Sequence, residues 1–156
     1  MTRARRPEDW AHDLATARPV EEAVRERLQA HPEVKRLVDA TREVEGLDFE
    51  FKLDGELVRV DVKEKLSPLT PDYLDLWPGV PGDELFVLDE TSLRSLAWDE
   101  GLGYLLVHDR SGRRWLVFGP WELLLAPHPR FERLGDRGSG SFLKGKLLLD
   151  MRTAAA

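Results

Sequence analysis

Two alternating segments around an Asp-Gly dipeptide restrict this chain to a small set of folds. Residues 47–53 and 58–63 alternate between apolar and charged side chains, and Asp54-Gly55 lies between them. Such alternation is typical of a strand with one buried face, and Asp-Gly is the strongest short signal for a two-residue hairpin turn. The sequence therefore predicts a β-hairpin at this position.

A two-residue turn also predicts how the two strands pair. Leu53 would face Glu56, and the same register carried to the far end of the hairpin places Asp48 opposite Asp61. Directly opposed like charges destabilise a sheet unless a cation lies between them or one carboxyl keeps its proton. Lys63 lies on the same face, two residues beyond Asp61. Proteins hold Mg²⁺ with one or two carboxylates, so the pattern indicates a Mg²⁺ site; a charged, solvated sheet face without metal is the alternative.

A helix with a further carboxylate is predicted before the hairpin. Pro19 suits a first helical position, and the helical pattern continues to Ala30. Glu21 shares a helix face with Val24 and Leu28. If this face packs on the sheet, Glu21 approaches the paired carboxylates; an exposed acid stabilised by the helix dipole is the alternative.

The remaining segments complete an α/β pattern. Residues 1–18 are interpreted as a polar N-terminal arm with some helix, 34–44 as a second short helical stretch, and 67–81 as a Pro-rich loop. Further elements are predicted as strands at 85–88, 104–107, 115–118 and 147–149, helices at 91–98 and 120–125, and a flexible Gly- and Ser-rich loop at 135–143. This order predicts one domain over residues 1–156, with a central mixed β-sheet flanked by helices.

Composition limits the chemistry and the partners. The chain has no cysteine, which excludes disulfides, zinc–thiolate sites and thiol nucleophiles. The net charge of −6 argues against a nucleic-acid-binding protein, although a carboxylate metal site contributes to it. Basic residues that could contact phosphates, or that could simply be solvated surface, are Lys65, Arg110, Arg113, Lys144 and Lys146. No apolar run is long enough to span a bilayer, so a cytoplasmic protein with no membrane partner is expected.

The order of the candidate site residues resembles that of the PD-(D/E)xK nuclease superfamily, also called the restriction-endonuclease-like fold. Its members carry a Glu on a helix, an Asp on a hairpin and an (Asp/Glu)-x-Lys signature on the next strand. The matching residues are Glu21-x-x-Val24-x-x-x-Leu28, then Asp48, then Asp61-Val62-Lys63. The resemblance covers about residues 19–65, and Leu47 stands where the family typically has a proline.

The resemblance implies a Mg²⁺-dependent hydrolase of phosphodiester bonds, with Mn²⁺ able to substitute. Asp48, Asp61 and the Val62 carbonyl would be metal ligands, and Glu21 would hold a metal or a water from the helix. Lys63 would position the attacking water and help to deprotonate it.

The implied enzyme is an endonuclease acting on nucleic acid, with DNA the expected substrate. Cleavage of two strands would favour a symmetric homodimer. The alternatives are a non-catalytic module of the same fold that binds nucleic acid or a partner protein, and an interaction domain whose hairpin charges are incidental.

Overall fold

The computed structural model describes residues 7–39, 47–66, 76–98, 100–137 and 140–155. The helices are α1 (Pro7–Ala30), α2 (Glu90–Trp98) and α3 (Pro120–Leu125), and 3₁₀ turns lie at Gly82–Glu84 and Met151–Thr153. The strands are β1 (Val34–Asp39), β2 (Phe49–Leu53), β3 (Glu56–Lys65), β4 (Leu85–Asp89), β5 (Leu102–Asp109), β6 (Arg114–Phe118), β7 (Arg130–Arg137) and β8 (Gly140–Asp150).

The strands form two sheets. The larger, five-stranded sheet has the order β1-β2-β3-β5-β6, in which β3 and β5 are parallel and the other neighbours are antiparallel. A second, three-stranded antiparallel sheet has the order β4-β8-β7. The predicted α/β class with a mixed sheet is confirmed, and so are the strands predicted within β4, β5, β6 and β8 and the helices α2 and α3. The division into two sheets was not predicted.

The hairpin forms at the predicted turn. Asp54 and Gly55 both have positive φ, 51° and 79°, as a type I′ turn requires. The predicted register is confirmed from Leu53 opposite Glu56 as far as Phe49 opposite Val60. The ladder between β2 and β3 ends there, while β3 continues to Lys65 beside β5. The predicted pair of Asp48 and Asp61 therefore lies just beyond the regular ladder.

Helices cover both faces of the larger sheet. On one face, Val20, Val24 and Leu28 of α1 pack on a buried cluster formed by Phe49, Phe51, Val58, Val60 and Val62. On the other face, Leu96 of α2 and Leu123 of α3 pack in a buried cluster with residues of β4, β5 and β8. Each large apolar side chain buried in this way contributes about 1.5–3 kcal/mol. Because side chains alternate along a strand, Arg59, Asp61 and Lys63 of β3 point away from α1.

The helix predicted to start at Pro19 begins earlier. α1 runs from Pro7 to Ala30 and contains Pro19 in its interior. A proline removes one backbone donor and costs about 3 kcal/mol inside a helix, whereas the first turn needs no such donor. A proline by itself therefore predicts the start of a helix. Here the helical segments on both sides of Pro19 outweigh that cost, so the helix expected within the N-terminal arm is continuous with the one that follows Pro19.

The prediction of a helical stretch at 34–44 is wrong for the residues that the structure describes. Residues Val34–Asp39 form strand β1, which pairs with β2, whereas residues 40–46 lie outside the described segments. A register shift between Lys35 and Val38, with Arg36 at φ 53°, interrupts the alternation. Val34 and Leu37 consequently both pack on the α1-side cluster, and their spacing of three imitates a helical pattern.

The Gly- and Ser-rich segment 135–143, predicted to be a flexible loop, contributes to both strands of a hairpin. Its residues lie at the end of β7 and the start of β8, except for 138–139, which are outside the description. Backbone pairs such as Gly135 with Phe142 continue the ladder through this segment. Glycine weakens a strand but does not prevent pairing where the partner strand is already fixed in a sheet.

Candidate metal centre

Asp48 and Asp61 meet where β2 and β3 separate. Asp48 directly precedes β2, and the Val62 backbone N–H donates to its Oδ2 at 2.8 Å. Asp61 is buried, with 4% of its surface exposed, and its side chain also forms a hydrogen bond with Asp48. The two carboxyl groups therefore share one small polar site, as the register predicted, although the contact is made by side chains beyond the ladder.

The proximity of the two carboxyl groups is reflected in the acidity of Asp48. Burial and the charge of Asp61 raise the pKa of Asp48 to about 7, against the opposing effects of the Val62 N–H and Lys63. Near neutral pH this pair consequently holds a proton that two separated carboxyl groups would release. A divalent cation between the oxygens would take the place of that proton, so the donor set fits a small hard metal ion.

Lys63 lies beside this pair of carboxyl groups. Its Nζ lies 3.3 Å from Asp61 Oδ2, and 40% of its side chain is exposed. Burial by itself would lower the pKa of Lys63, but the carboxylates of Asp61, Asp48 and Asp89 raise it above its ordinary value. Lys63 is therefore a charged hydrogen-bond donor at the open side of the site.

Glu21 does not join these carboxylates. α1 packs on the face of the sheet that carries Val60 and Val62, whereas Asp61 and Lys63 lie on the opposite face. In the segments covered by the structure, no group of three or more His, Cys, Asp or Glu side chains could hold a metal ion. The helical pattern correctly predicted which side of α1 packs on the sheet, but not which face of the sheet receives it. Mg²⁺ would thus rely on Asp48, Asp61 and, as still only predicted, the Val62 carbonyl.

Lys65 corrects another expectation. Its side chain is buried, and its Nζ donates to the backbone carbonyls of Gly82 at 3.0 Å and Asp83 at 2.8 Å. These bonds tie the end of β3 to the 3₁₀ turn that precedes β4. The ammonium is used inside the protein and is not available to a phosphate, contrary to the prediction.

The other predicted phosphate-binding residues lie at two different places. Arg110 and Arg113 are exposed in the turn between β5 and β6, which Asp109 holds by accepting hydrogen bonds from Ser111 Oγ and Gly112 N. Lys146 lies on β8 of the second sheet. The side chain of Lys144 is outside the described part of the chain. The basic residues therefore do not form one group around the carboxylates.

Asp89 was missed by sequence reasoning. It ends β4, and its carboxylate accepts a hydrogen bond from Lys146 Nζ, which is 57 positions away in the chain. It is also one of the carboxylates that raise the pKa of Lys63. The only signal in the sequence is a carboxylate directly after a buried strand, which does not identify its partners.

Comparison of the chain with protein-family models, with curated proteins and with solved structures gives no match. Among the helices that the structure describes, none is long and apolar enough to cross a membrane.

The shared proton of the carboxyl pair leads to a prediction for the metal-free protein. The pKa of Asp48, about 7 when folded and 3.8 ordinarily, means that the folded state binds this proton more tightly. The stability that this bound proton gives to the folded state is fully present below about pH 4 and is lost as the pH rises through 7. Each pKa unit corresponds to about 1.4 kcal/mol. Because solvent screens the charge of the half-buried Asp48, only part of the full shift counts, and we expect the free energy of unfolding to fall by about 2 kcal/mol.

Asp48→Asn should remove this loss, because the amide stays neutral and can still accept from Val62. Urea unfolding in EDTA at about pH 5 and pH 8 would measure the effect. The variant should gain stability relative to the wild type at the higher pH. An identical pH dependence in the two proteins would contradict the shared-proton interpretation.

Proposed function

We propose that this protein is a Mg²⁺-dependent nuclease that hydrolyses phosphodiester bonds, with DNA as its substrate. The observation that supports this most is the pair of carboxyl groups, Asp48 and Asp61, that share a half-buried site with the Lys63 ammonium. Paired carboxylates beside a cation, open to solvent on one side, suit a metal ion and an anionic substrate.

The arrangement of the chain is consistent with the restriction-endonuclease-like fold, which we propose as the finer assignment. α1 precedes the hairpin, Asp48 lies at the entry to β2, and Asp61-Val62-Lys63 lies on β3, in the order that the resemblance implies. The central mixed sheet has helices on both faces. The departure from the expected site is that Glu21 does not form a metal-holding group with Asp48 and Asp61.

Asp48 and Asp61 would hold the metal ion, which when bound lowers the pKa of a water and stabilises charge on the phosphate. The Val62 N–H fixes Asp48, and burial fixes Asp61, so both carboxylates are oriented before a ligand arrives. The elevated pKa of Lys63 keeps it protonated. We therefore assign to Lys63 hydrogen-bond donation to a phosphate oxygen or to the attacking water, rather than removal of the water's proton.

Cleavage of nucleic acid is the direct test. The purified protein would be incubated with labelled single-stranded, duplex and branched DNA and with RNA, in Mg²⁺, Mn²⁺ or EDTA. We expect cleavage of DNA in either metal and none in EDTA. The homodimer expected for cleavage of both strands would be measured in the same samples by light scattering.

Metal binding by itself has a separate expected outcome. At a Mn²⁺ concentration a hundredfold above its Kd, binding adds about 2.7 kcal/mol of stability, equivalent to a rise in Tm of roughly 5–10 °C for a chain of this size. Asp61→Asn should remove this rise, because the charged oxygen donor is lost. If the wild type shows no shift in Mn²⁺ or Mg²⁺, the metal site is wrong.

A non-catalytic nuclease-fold module that binds nucleic acid or a protein is the second candidate. Two observations favour it: the net charge of −6 and, within the described segments, the absence of a third carboxylate placed to bind the metal with Asp48 and Asp61. Metal-induced stabilisation together with binding of labelled DNA, but without cleavage of any substrate, would support this candidate over the first.

A further inference from the structure

A second lysine is held in place at the end of β4. The sheet register places Asp89 opposite Lys146 of β8, and Lys146 Nζ donates to Asp89 Oδ1. The Lys146 side chain is 17% exposed and that of Asp89 29% exposed. This ammonium is therefore held at a partly sheltered position rather than on a flexible, fully solvated side chain.

The end of β4 and the entry of β2 border the same buried core. Leu88, which directly precedes Asp89, and Leu47, which directly precedes Asp48, belong to the same buried cluster. Neighbours in the chain are 3.8 Å apart at their Cα atoms, so the two aspartates flank the same apolar contact region. The second sheet thus places Asp89 at the border of the core on which the entry of β2 also rests.

The same cluster connects Asp89 to the catalytic strand. Leu105 and Val107 of β5 belong to it, and they are the register partners of Asp61 and Lys63 on β3. Partners in neighbouring strands point to the same side of the sheet, so Lys63 faces the layer that contains β4. The effect of the Asp89 carboxylate on the pKa of Lys63 is consistent with this placement.

We propose that Lys146 is a substrate-binding residue whose ammonium contacts a phosphate of the nucleic-acid strand, and that Asp89 positions it. This inference rests on the proposed nuclease function. Asp48, Asp61 and Asp89 make the surroundings of Lys63 acidic, and a polyanionic strand needs compensating cations beyond the metal ion. Lysine binds phosphate as a point charge, and pairing with Asp89 neutralises that charge until a strand arrives. Of the predicted phosphate-binding residues with described side chains, only Lys146 is linked in this way to the carboxylate site.

Two substitutions in the pair should have opposite effects on substrate binding. Lys146→Gln removes the cation, so we expect kcat/KM to fall about tenfold or more. Asp89→Asn keeps a side-chain oxygen that can accept the positioning hydrogen bond from Lys146 but removes the neutralising charge, so we expect KM to stay the same or to fall. If Lys146 serves only to stabilise the fold through its ion pair, both substitutions should weaken activity and stability alike, which would overturn the proposal.

Binding gives a readout that does not depend on cleavage. Anisotropy of a fluorescein-labelled DNA oligonucleotide would be measured in Mg²⁺ over a range of salt, in the cleavage-deficient Lys63→Gln background. Adding Lys146→Gln should weaken binding and reduce the slope of log K against log salt by about 1, the effect of one lost phosphate contact. Wild-type-like affinity and slope in the double variant would contradict the proposal.

Matched variants separate this inference from the proposed function. Arg152→Gln breaks the ion pair with Asp150 at the other end of the β4–β8 ladder and should change neither cleavage nor binding. Lys146→Arg should retain most of the affinity, and Lys146→Gln should retain the Mn²⁺-induced rise in Tm. If the wild type neither cleaves nor binds any substrate, the proposed function fails; if it does and Lys146→Gln equals it, only the present inference fails.

Discussion

Asp61→Asn is expected to reduce metal-dependent cleavage by at least about a thousandfold. Asp61 is 4% exposed and supplies one of the two charged oxygen donors of the site, so its loss removes the metal's contribution to transition-state stabilisation. That contribution is several kcal/mol, and each 1.36 kcal/mol corresponds to about a factor of ten in rate. Asparagine has nearly the same shape, so the fold should remain. Initial rates on the best substrate from the panel would measure the effect.

Glu56→Gln is the matched control for this substitution. Glu56 lies on the same strand, next to the hairpin turn, and is exposed, so the identical change of charge should leave cleavage close to wild type. Lys63→Ala should also abolish cleavage but, unlike Asp61→Asn, should retain the Mn²⁺-induced rise in Tm. Undiminished cleavage by Lys63→Ala would refute the role assigned to this lysine.

Gly103→Ala is expected to destabilise the protein by about 3 kcal/mol. A Cβ at this position of β5 would lie 2.0 Å from the Leu96 carbonyl oxygen and 2.6 Å from the Leu96 carbonyl carbon. These are backbone atoms of α2, and Leu96 itself is 2% exposed in the core cluster, so the helix would have to move away from the sheet. Overpacking of this kind costs 1–3 kcal/mol or occasionally more. Urea unfolding of the purified variant would measure the loss.

Gly119→Ala provides the comparison. The nearest atom to its Cβ would be Glu122 Oε2 at 2.9 Å, the end of a flexible side chain that can move at little cost. We expect a loss below about 1 kcal/mol, within the range of an altered helix cap. A loss in Gly103→Ala as small as the one expected for Gly119→Ala would show that α2 can shift from β5 at little cost.

Local sequence patterns correctly predicted the elements that pair with a segment close to them in the chain. The hairpin around Asp54 and Gly55 is the clearest case, because turn geometry and alternation both act over a few residues. Pro19 and the segment beginning at Val34 show the limit of such patterns. Pro19 stays within α1 because helical segments flank it on both sides. The segment from Val34 is a strand, but the shift of register at Arg36 gives its apolar residues a spacing that imitates a helix.

The same distinction applies to the candidate site. Asp48, Asp61 and Lys63 were predicted together because the register of one hairpin determines which side chains share a face, and the structure brings them together. Alternation identifies a face but not the layer that covers it. For that reason Glu21 was expected to complete a group of carboxylates that the described residues do not form, and Lys65 was expected at a phosphate although it bonds to Gly82 and Asp83.

The β-turn, the alternation and the paired carboxylates are properties of short segments, so the amino-acid sequence alone was enough to derive them. The stacking of a second sheet on the first depends on contacts between distant segments, which no local pattern encodes. Asp89 and Lys146 meet across 57 positions only because β4 and β8 pair. The Asp89 carboxylate acts on Lys63 because β4 and β5 contribute to one core. The chemistry of the carboxylate pair is thus local in origin, whereas its surroundings are a product of tertiary packing.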